Sequence, residues 1–469
     1  MWIRCFNLDL KIYWHDEVFT SLRTAGYTGE EVIQELFTGE ILTASDLLTY
    51  QTLSPNTELQ QTLNALQNHP EHPPLYYLLS RFWQDWLGSS VAVMRSLSVL
   101  FSLLVFPALY GFSYSLFQSP TVASIAVLLM SVSPFHLLYA QEARQYSLWT
   151  LMTLLSSWSF WQAINHRSRF NWLAYATTTI LNFYTSLLSV LVVWTQGIYL
   201  FLREKRVYNR TIRYYLLVIL GSAIAFSPWI WIIITNYSQL QAKTAWIESQ
   251  PAYSFLFKIW GLHFSSVFVD LGFNINHPYS YLVPPLILIL ISYGFIILIR
   301  TTERSIWLFL LCLFLIPTLS LILPDLILGG QRSTVTRYLI PSLIAAQIAI
   351  AYLFTYHLRK KLWQGLLGII LLCGLLSCWQ ISQAEVWWNK GISSYNPQIA
   401  AAINKSSNPL VISDAGGTNL GNIISLAYLV KPETKFKLVS QGEPFNLYCE
   451  KSKVIFSFDG YGWLSLCEL

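Results

Sequence analysis

Between residues 91 and 382 the chain is a near-continuous succession of apolar runs, which limits what it can fold into. Each run approaches the roughly 20 residues that cross a bilayer as a helix. Ten spans are expected, at about 91–116, 120–140, 146–164, 170–183, 186–202, 212–235, 281–300, 306–328, 337–357 and 362–382. The polar break "NFYTS" at Asn182–Ser186 divides the fourth from the fifth. Composition agrees: 11% of the 469 residues are charged, 54% are hydrophobic and the mean hydropathy is +0.45. Soluble domains carry about a quarter charged residues, so this chain cannot cover a water-facing surface. It is a polytopic membrane protein.

The net charge of +5 therefore reports topology and not nucleic-acid binding. Alternate loops "NHRSRF", "REKRVYNRTIR", "RTTERS" and "LRKK" hold most of the basic residues, whereas the opposite short connections offer Arg144, Arg332 and Arg337. Positive-inside bias puts the basic set in the cytoplasm. Residues 1–90, 236–280 and the tail from 383 are then expected on the non-cytoplasmic face of the cell membrane. Six cysteines form neither a CxxC pair nor a zinc-spaced cluster.

Three regions follow. Residues 1–90 read as an external first loop, with "TGEEVIQELFTGEIL" and "PPLYYLLSRFWQDWLG" as helices in the membrane interface. In the second, Arg81, Gln84 and Asp85 take the polar positions, and Trp83 and Trp86 are expected at headgroup depth. Residues 91–382 form the all-α bundle. Residues 383–469 read as a small external α/β domain, from the strands "PLVISD", "FKLVS" and "KVIFSFD" and a helix after "DAGGTNLG". That glycine-rich stretch matches no phosphate-binding spacing. A strand-to-helix turn that needs a positive φ explains it better.

Three polar clusters converge on the outer face: "WHDE" with Asp16 and Glu17, "NHPEHPPLYY" with His69, Glu71 and His72, and "YAQEARQYSL" with Glu142 and Arg144. Each has a plain structural explanation. Asp16 suits a helix N-terminus, His72 before Pro-Pro suits a turn, and Glu142 with Arg144 suits an interfacial pair whose arginine snorkels.

In order and spacing, the set "DE", "HPPLYYLL" and "SPFHLLYAQEARQYSL" resembles the polyprenol-phosphate-sugar-dependent glycosyltransferases of the GT-C membrane fold. The similarity is to the family 39-like group of protein O-mannosyltransferases and lipid A aminoarabinose transferases. It covers residues 10–165 well and extends loosely to "TRYLIPSL", with Arg337 and Tyr338 similar to a late Arg-Tyr element. The resemblance implies a bundle of GT-C type that moves a sugar from a polyprenyl-phosphate donor to a lipid, glycan or protein acceptor, among membrane lipids and without nucleic acid.

It further implies Asp16 as general base, with Glu17 orienting it or binding acceptor hydroxyls. His72, Glu142, Arg144, Arg337 and Tyr338 would bind substrate, the arginines facing the anionic leaving phosphate. Arg332 is a third candidate for that phosphate. No cofactor is assigned. His15, Asp16, Glu17, His69 and His72 leave a divalent metal as an open alternative, without the i,i+4 histidine pair that would mark a site. The family pattern has a spanning helix ahead of its acidic loop, where this chain has "MWIRCFNLDLKIYW", so an upstream helix is expected to be missing. The rival reading is a transporter or flippase of lipid-linked sugars. It expects intramembrane charges and an internal repeat, and neither is visible.

Overall fold

The computed structural model describes residues 2–204, 209–272 and 275–441, and the backbone of 454–458 and 464–468. Part of the basic loop 203–213 thus lies outside the described residues. The first ninety residues form α1 (His15–Thr24), α2 (Gly29–Leu36), the strand β1 (Ile41–Thr43), α3 (Ala44–Leu48), α4 (Leu59–Gln67) and α5 (Leu75–Leu87). Next come α6 (Val91–Phe117), α7 (Pro120–Ser131), α8 (Pro134–Ala140), α9 (Tyr146–His166), α10 (Arg169–Thr185), α11 (Ser189–Arg203) and α12 (Arg210–Thr235). They are followed by α13 (Tyr237–Thr244), α14 (Tyr253–Ser265), α15 (Val283–Thr301), α16 (Arg304–Ile327), α17 (Ile340–His357) and α18 (Lys361–Gln383). The tail adds α19 (Asn396–Lys405), β2 (Leu410–Asp414), α20 (Asn419–Ala427), β3 (Lys435–Val439), β4 (Val454–Phe458) and β5 (Leu464–Glu468).

Among the described residues six helices are long and apolar enough to cross a membrane: α6, α12, α15, α16, α17 and α18. The count is seven if α7 and α8 are one span bent by 62°. Ten had been expected. The other three runs are helical, but α10 and α11 have only 17 and 15 residues. The third, α9, buries Thr150, Thr153, Ser156 and Ser157 against its neighbours, so its apolar character is diluted by polar packing positions.

The bend follows from Pro134, because the residue before a proline disfavours helical geometry. The turn after α14 satisfies the freed groups: Ser133 Oγ donates to the Val267 carbonyl at 2.6 Å, and the Phe135 N–H to that of Ser266 at 3.0 Å. Between α10 and α11, Ser186 is extended (φ −156°, ψ 135°), so "NFYTS" does end one helix before the next begins.

The first segment and the tail are interleaved. The sheet order is β1-β3-β2-β4-β5, with β2 parallel to both β3 and β4 and the edges antiparallel. The edge strand β1 comes from the first ninety residues. Val18, Leu22, Val32 and Leu36 share one core with Ile403, Val411, Ile423, Ile424 and Phe436. The described parts of the first ninety residues and of the tail therefore share one sheet and one core. In "DAGGTNLG", Gly417 has φ +54°, while the Gly416 N–H and the Asn419 amide bind the Asp414 carboxylate at 3.0 and 2.7 Å. The glycines serve the turn.

In α5 the three polar residues divide, with Asp85 exposed and the other two turned inward. Arg81 and Gln84 are buried and donate into the first segment, Arg81 to Thr62 Oγ1 at 2.7 Å and the Thr57 carbonyl at 2.6 Å. Phe82 and Trp86 point outward.

At the far ends of the helices the basic loops are tied together, Arg203 to Asn165 at 3.0 Å and Arg304 to the Leu202 carbonyl at 3.3 Å. The 21 residues of α9 separate those loops from Arg144 by roughly 30 Å.

Candidate active site

Helix α1 starts after Trp14 with no side chain capping it. Its first turn holds Asp16 and Glu17, where the helix dipole favours carboxylates. Successive residues of a helix point about 100° apart, and here that separation divides two roles. Glu17 turns inward and is fully buried. It accepts from Arg95 Nε and Nη2, each at 2.7 Å, from Lys390 Nζ at 2.7 Å and from the Ala143 N–H at 2.8 Å. Burial alone would raise its pKa, but Arg95 and Lys390 outweigh it and hold the carboxyl at about 2. Arg95 also donates to the carbonyls of Leu8, Lys11 and Ile12. Glu17 thus joins α1, α6, the turn before α9 and the tail. Expected beside Asp16 as a catalytic group, it does not reach the open side.

Asp16 does. Its side chain is 19% exposed and its Oδ2 accepts from Arg337 Nη2 at 3.2 Å, with Arg144 Nη2 at 4.0 Å. The bland reading of Asp16 as a helix cap fails, since its partners come from elsewhere in the chain. Arg144 Nη1 donates to the Asp16 carbonyl at 3.2 Å and to Thr20 Oγ1 at 3.3 Å, and Nη2 meets His72 Nε2 at 3.5 Å. The Arg337 guanidinium lies over the rings of Tyr146 and Trp14. Half-buried Tyr338 adjoins it. Burial pushes the Asp16 carboxyl up, but Arg144 and then Arg337 override this and hold it at about 2. The Nε atoms of both arginines are buried without a partner. That leaves donors free for a further anion.

Glu142 and Arg144 are not the snorkelling interfacial pair that their sequence suggests. Both are buried, and their side chains diverge. Glu142 accepts from Asn389 Nδ2 at 2.8 Å and lies 3.9 Å from Lys390. Burial raises its carboxyl to about 7, with Lys390 opposing and Glu17 reinforcing. It sits behind Asp16 and buttresses the site from beneath. His72 closes a turn through its backbone N–H to His69 and still presents its ring to Arg144.

Arg332 stands apart, bonded to Asp325 at 3.0 Å, so it does not join the other two arginines. His69 Nδ1 and His72 Nε2 both turn to Glu71 Oε1, at 3.2 and 3.7 Å. Among the described residues no three His, Cys, Asp or Glu side chains converge closely enough to hold a metal ion.

Arg95, Asn389 and Lys390 were not foreseen. A charged residue one turn into an apolar span is a signal for Arg95. Nothing near Lys390 marks it in advance. The tail also touches the motif directly: Ser393 Oγ accepts from the His15 N–H at 3.1 Å, and a side chain at Gly421 would collide with the His15 ring.

Residues 71–232 match the family model described as dolichyl-phosphate-mannose-protein mannosyltransferase. No curated protein matches the sequence. Among solved structures the fold is similar to that of ArnT from Cupriavidus metallidurans bound to undecaprenyl phosphate. The identity is 11% and the TM-score 0.51, covering 80% of this chain and 76% of that one. The apo state of ArnT from the same organism gives 11% identity and a TM-score of 0.52, covering 83% and 82%.

Proposed function

For a chain whose fold is similar to that of ArnT and whose residues 71–232 match a mannosyltransferase family model, we propose membership of the GT-C membrane glycosyltransferases and a specific reaction. The protein transfers a sugar from a polyprenyl-phosphate donor to an acceptor hydroxyl on the non-cytoplasmic face, with Asp16 as general base. One observation carries this reading: Asp16, Arg144 and Arg337, from three distant parts of the chain, meet at one end of the bundle, where Asp16 and Arg337 remain partly exposed. The basic loops lie at the opposite end, and positive-inside bias puts that end in the cytoplasm. The matched families and folds are those of transferases, so the transporter alternative gains no support.

In this mechanism the donor phosphate takes Arg144 and Arg337, a fork geometry that suits phosphate oxygens. The acceptor oxygen attacks the anomeric carbon, and its proton passes to Asp16. The bond between that carbon and the phosphate oxygen breaks with inversion. The released lipid phosphate keeps the electron pair, stabilised by the two guanidinium groups as its charge develops. Donor binding also draws both cations away from Asp16, which lifts its pKa toward a value useful in a base. Glu17 and Glu142 are positioning residues, His72 and Tyr338 line the donor site, and no step requires a metal.

The test uses the full chain in lipid nanodiscs with polyprenyl-phosphate sugars and a membrane extract as acceptor. Release of free polyprenyl phosphate by the wild type is expected, with loss in Asp16→Asn while donor binding persists. Normal turnover by Asp16→Asn would refute the base.

A further inference from the structure

Asp270 lies outside the stretch that matches the family model, in the turn between α14 and α15. It is 6% exposed, and its carboxylate is met by neutral donors. Oδ2 accepts from the indole Nε1 of Trp387 at 2.9 Å and from that of Trp388 at 2.6 Å, and Oδ1 from the Gly272 N–H at 3.4 Å. Burial raises its pKa, the two indoles oppose this, and no cation pairs with it among the described residues. A buried carboxylate without a cation is a poor source of stability, and an apolar side chain of similar volume would pack there at less cost. What the carboxylate supplies is orientation, because one of its oxygens fixes two consecutive indoles.

The turn that carries Asp270 is itself fixed to the bundle. The Asp270 N–H donates to Ser377 Oγ of α18 at 3.0 Å. A few residues earlier, the carbonyls of Ser266 and Val267 take the donors freed at the Pro134 break. Gly374 lets α18 approach closely, since a Cβ there would lie 2.6 Å from the Val132 carbonyl oxygen and 3.2 Å from that of Phe268. Beyond the break, α8 runs directly into the turn of Glu142, Ala143 and Arg144. On the other side of the clamp, the residues after the two tryptophans enter the site. Asn389 donates to Glu142 at 2.8 Å and Lys390 Nζ to Glu17 at 2.7 Å. Lys390 Nζ also lies 5.5 Å from the centre of the Trp14 ring, just ahead of α1. Asn7 and Ile12 bond the same stretch, through the carbonyls of Ser382 and Glu385. Those two belong to the segment that Glu17 holds in place, whereas Asp270 ties the stretch to the bundle.

We infer that Asp270 is a positioning residue for the transfer reaction: through Trp387 and Trp388 it sets Asn389 and Lys390 against the two buried acids, and so fixes α1, with Asp16, relative to Arg144. This rests on the reading of Asp16 and the two arginines above, and it extends the machinery to the loop 236–280. Misplacement by about 1 Å, even far from the chemistry, can cost about a hundredfold in rate. The chemistry required at position 270 is an acceptor, not a charge. An amide carbonyl can take both indole N–H groups, and a leucine side chain can take neither.

The experiment measures release of polyprenyl phosphate per binding-competent molecule, with bare undecaprenyl phosphate titrated in nanodiscs to count the sites. A purely structural role would reduce the number of sites and leave turnover per site unchanged. Asp270→Leu should lower kcat per site about 10- to 100-fold, with the affinity for bare undecaprenyl phosphate unaltered. Trp387→Phe combined with Trp388→Phe removes both donors without touching Asp270 and should reproduce that loss. Asp270→Asn keeps an accepting oxygen and should retain most of the turnover. In a Lys390→Met background, the loss from Asp270→Leu should fall short of multiplying by about threefold or more, because both substitutions act through the same lysine. Three results would each overturn the inference: wild-type turnover per site in Asp270→Leu, a loss in Asp270→Asn as deep as in Asp270→Leu, or losses that multiply fully with Lys390→Met. Asp16→Asn is measured alongside. If it keeps turnover, the base reading falls, and the coupling of Asp270 to Lys390 still decides the inference. If it loses turnover and Asp270→Leu does not, the inference falls alone.

Discussion

A carboxylate held between two guanidinium groups is a weak base, and Asp16 is so held before the donor arrives. If phosphate displaces the arginines, the acid limb of kcat, which reports the substrate complex, should lie at least about one pH unit above that of kcat/KM, which reports the free enzyme. Coincident limbs would show that Asp16 keeps its partners throughout. Arg337→Gln should weaken donor binding about 10- to 100-fold, the scale of a lost charge-assisted contact. An unaltered donor affinity would remove Arg337 from the phosphate site. Glu142 titrates in the opposite sense to Asp16. With its folded pKa raised from 4.5 to about 7, its stabilising contribution is complete below about pH 4.5 and fades as pH rises through 7. Glu142→Gln should therefore lose less thermal stability than the wild type between pH 5 and pH 8, and a parallel loss would contradict its raised pKa. At this scale the sequence singled out Asp16, His72, Arg144 and Arg337 through the family resemblance, and the structure brings these four together. The resemblance gave Asp16 the base role and Glu17 a supporting one, but not the full burial of Glu17, because which of two adjacent acids faces inward depends on how α1 is rotated against its neighbours.

Among the elements, the tail has the more consequential placement. From the sequence it reads as a small external α/β domain, and a part set apart from the bundle in that way would serve acceptor choice alone. In the structure Lys390 is buried against Glu17 and Glu142, Ser393 holds the start of α1, and α20 packs on α1 with Gly421 against His15. Lys390→Met leaves Glu17 with one cation fewer in a buried site, at a cost of roughly 3–5 kcal/mol. It should lower the thermal midpoint and reduce both donor hydrolysis and transfer, and so should removal of residues 384–469. Selective loss of transfer with donor hydrolysis intact would restore the acceptor-only role. The buried pairs Arg95–Glu17 and Lys390–Glu17 were illegible beforehand, since their members lie 78 and 373 positions apart.

For the molecule as a whole, one end gathers the acids, the two free-handed arginines and the sheet, and the other gathers the basic loops. The first end is assigned to the outside. In a background with Cys5, Cys449 and Cys467 replaced by Ser, a cysteine at Thr38 should react with a membrane-impermeant maleimide on intact cells. One at Lys361 should react only after lysis. The reverse pattern would invert the topology and with it the acceptor compartment.

The membrane class, the helical bundle, most span boundaries and the three polar clusters could be read from the sequence alone. They depend on local composition, on the helical repeat and on short spacings, and each of these is written within a few dozen residues. Tertiary structure decided the rest. It broke one expected span at Pro134, merged the first ninety residues with the tail through β1, and turned Arg81 and Gln84 of α5 inward. It also assigned Asp16 to the opening and Glu17 to the interior. All of these depend on long-range partners, because a buried charge settles where opposite charge reaches it through space, and proximity in space is not written in the local order of residues.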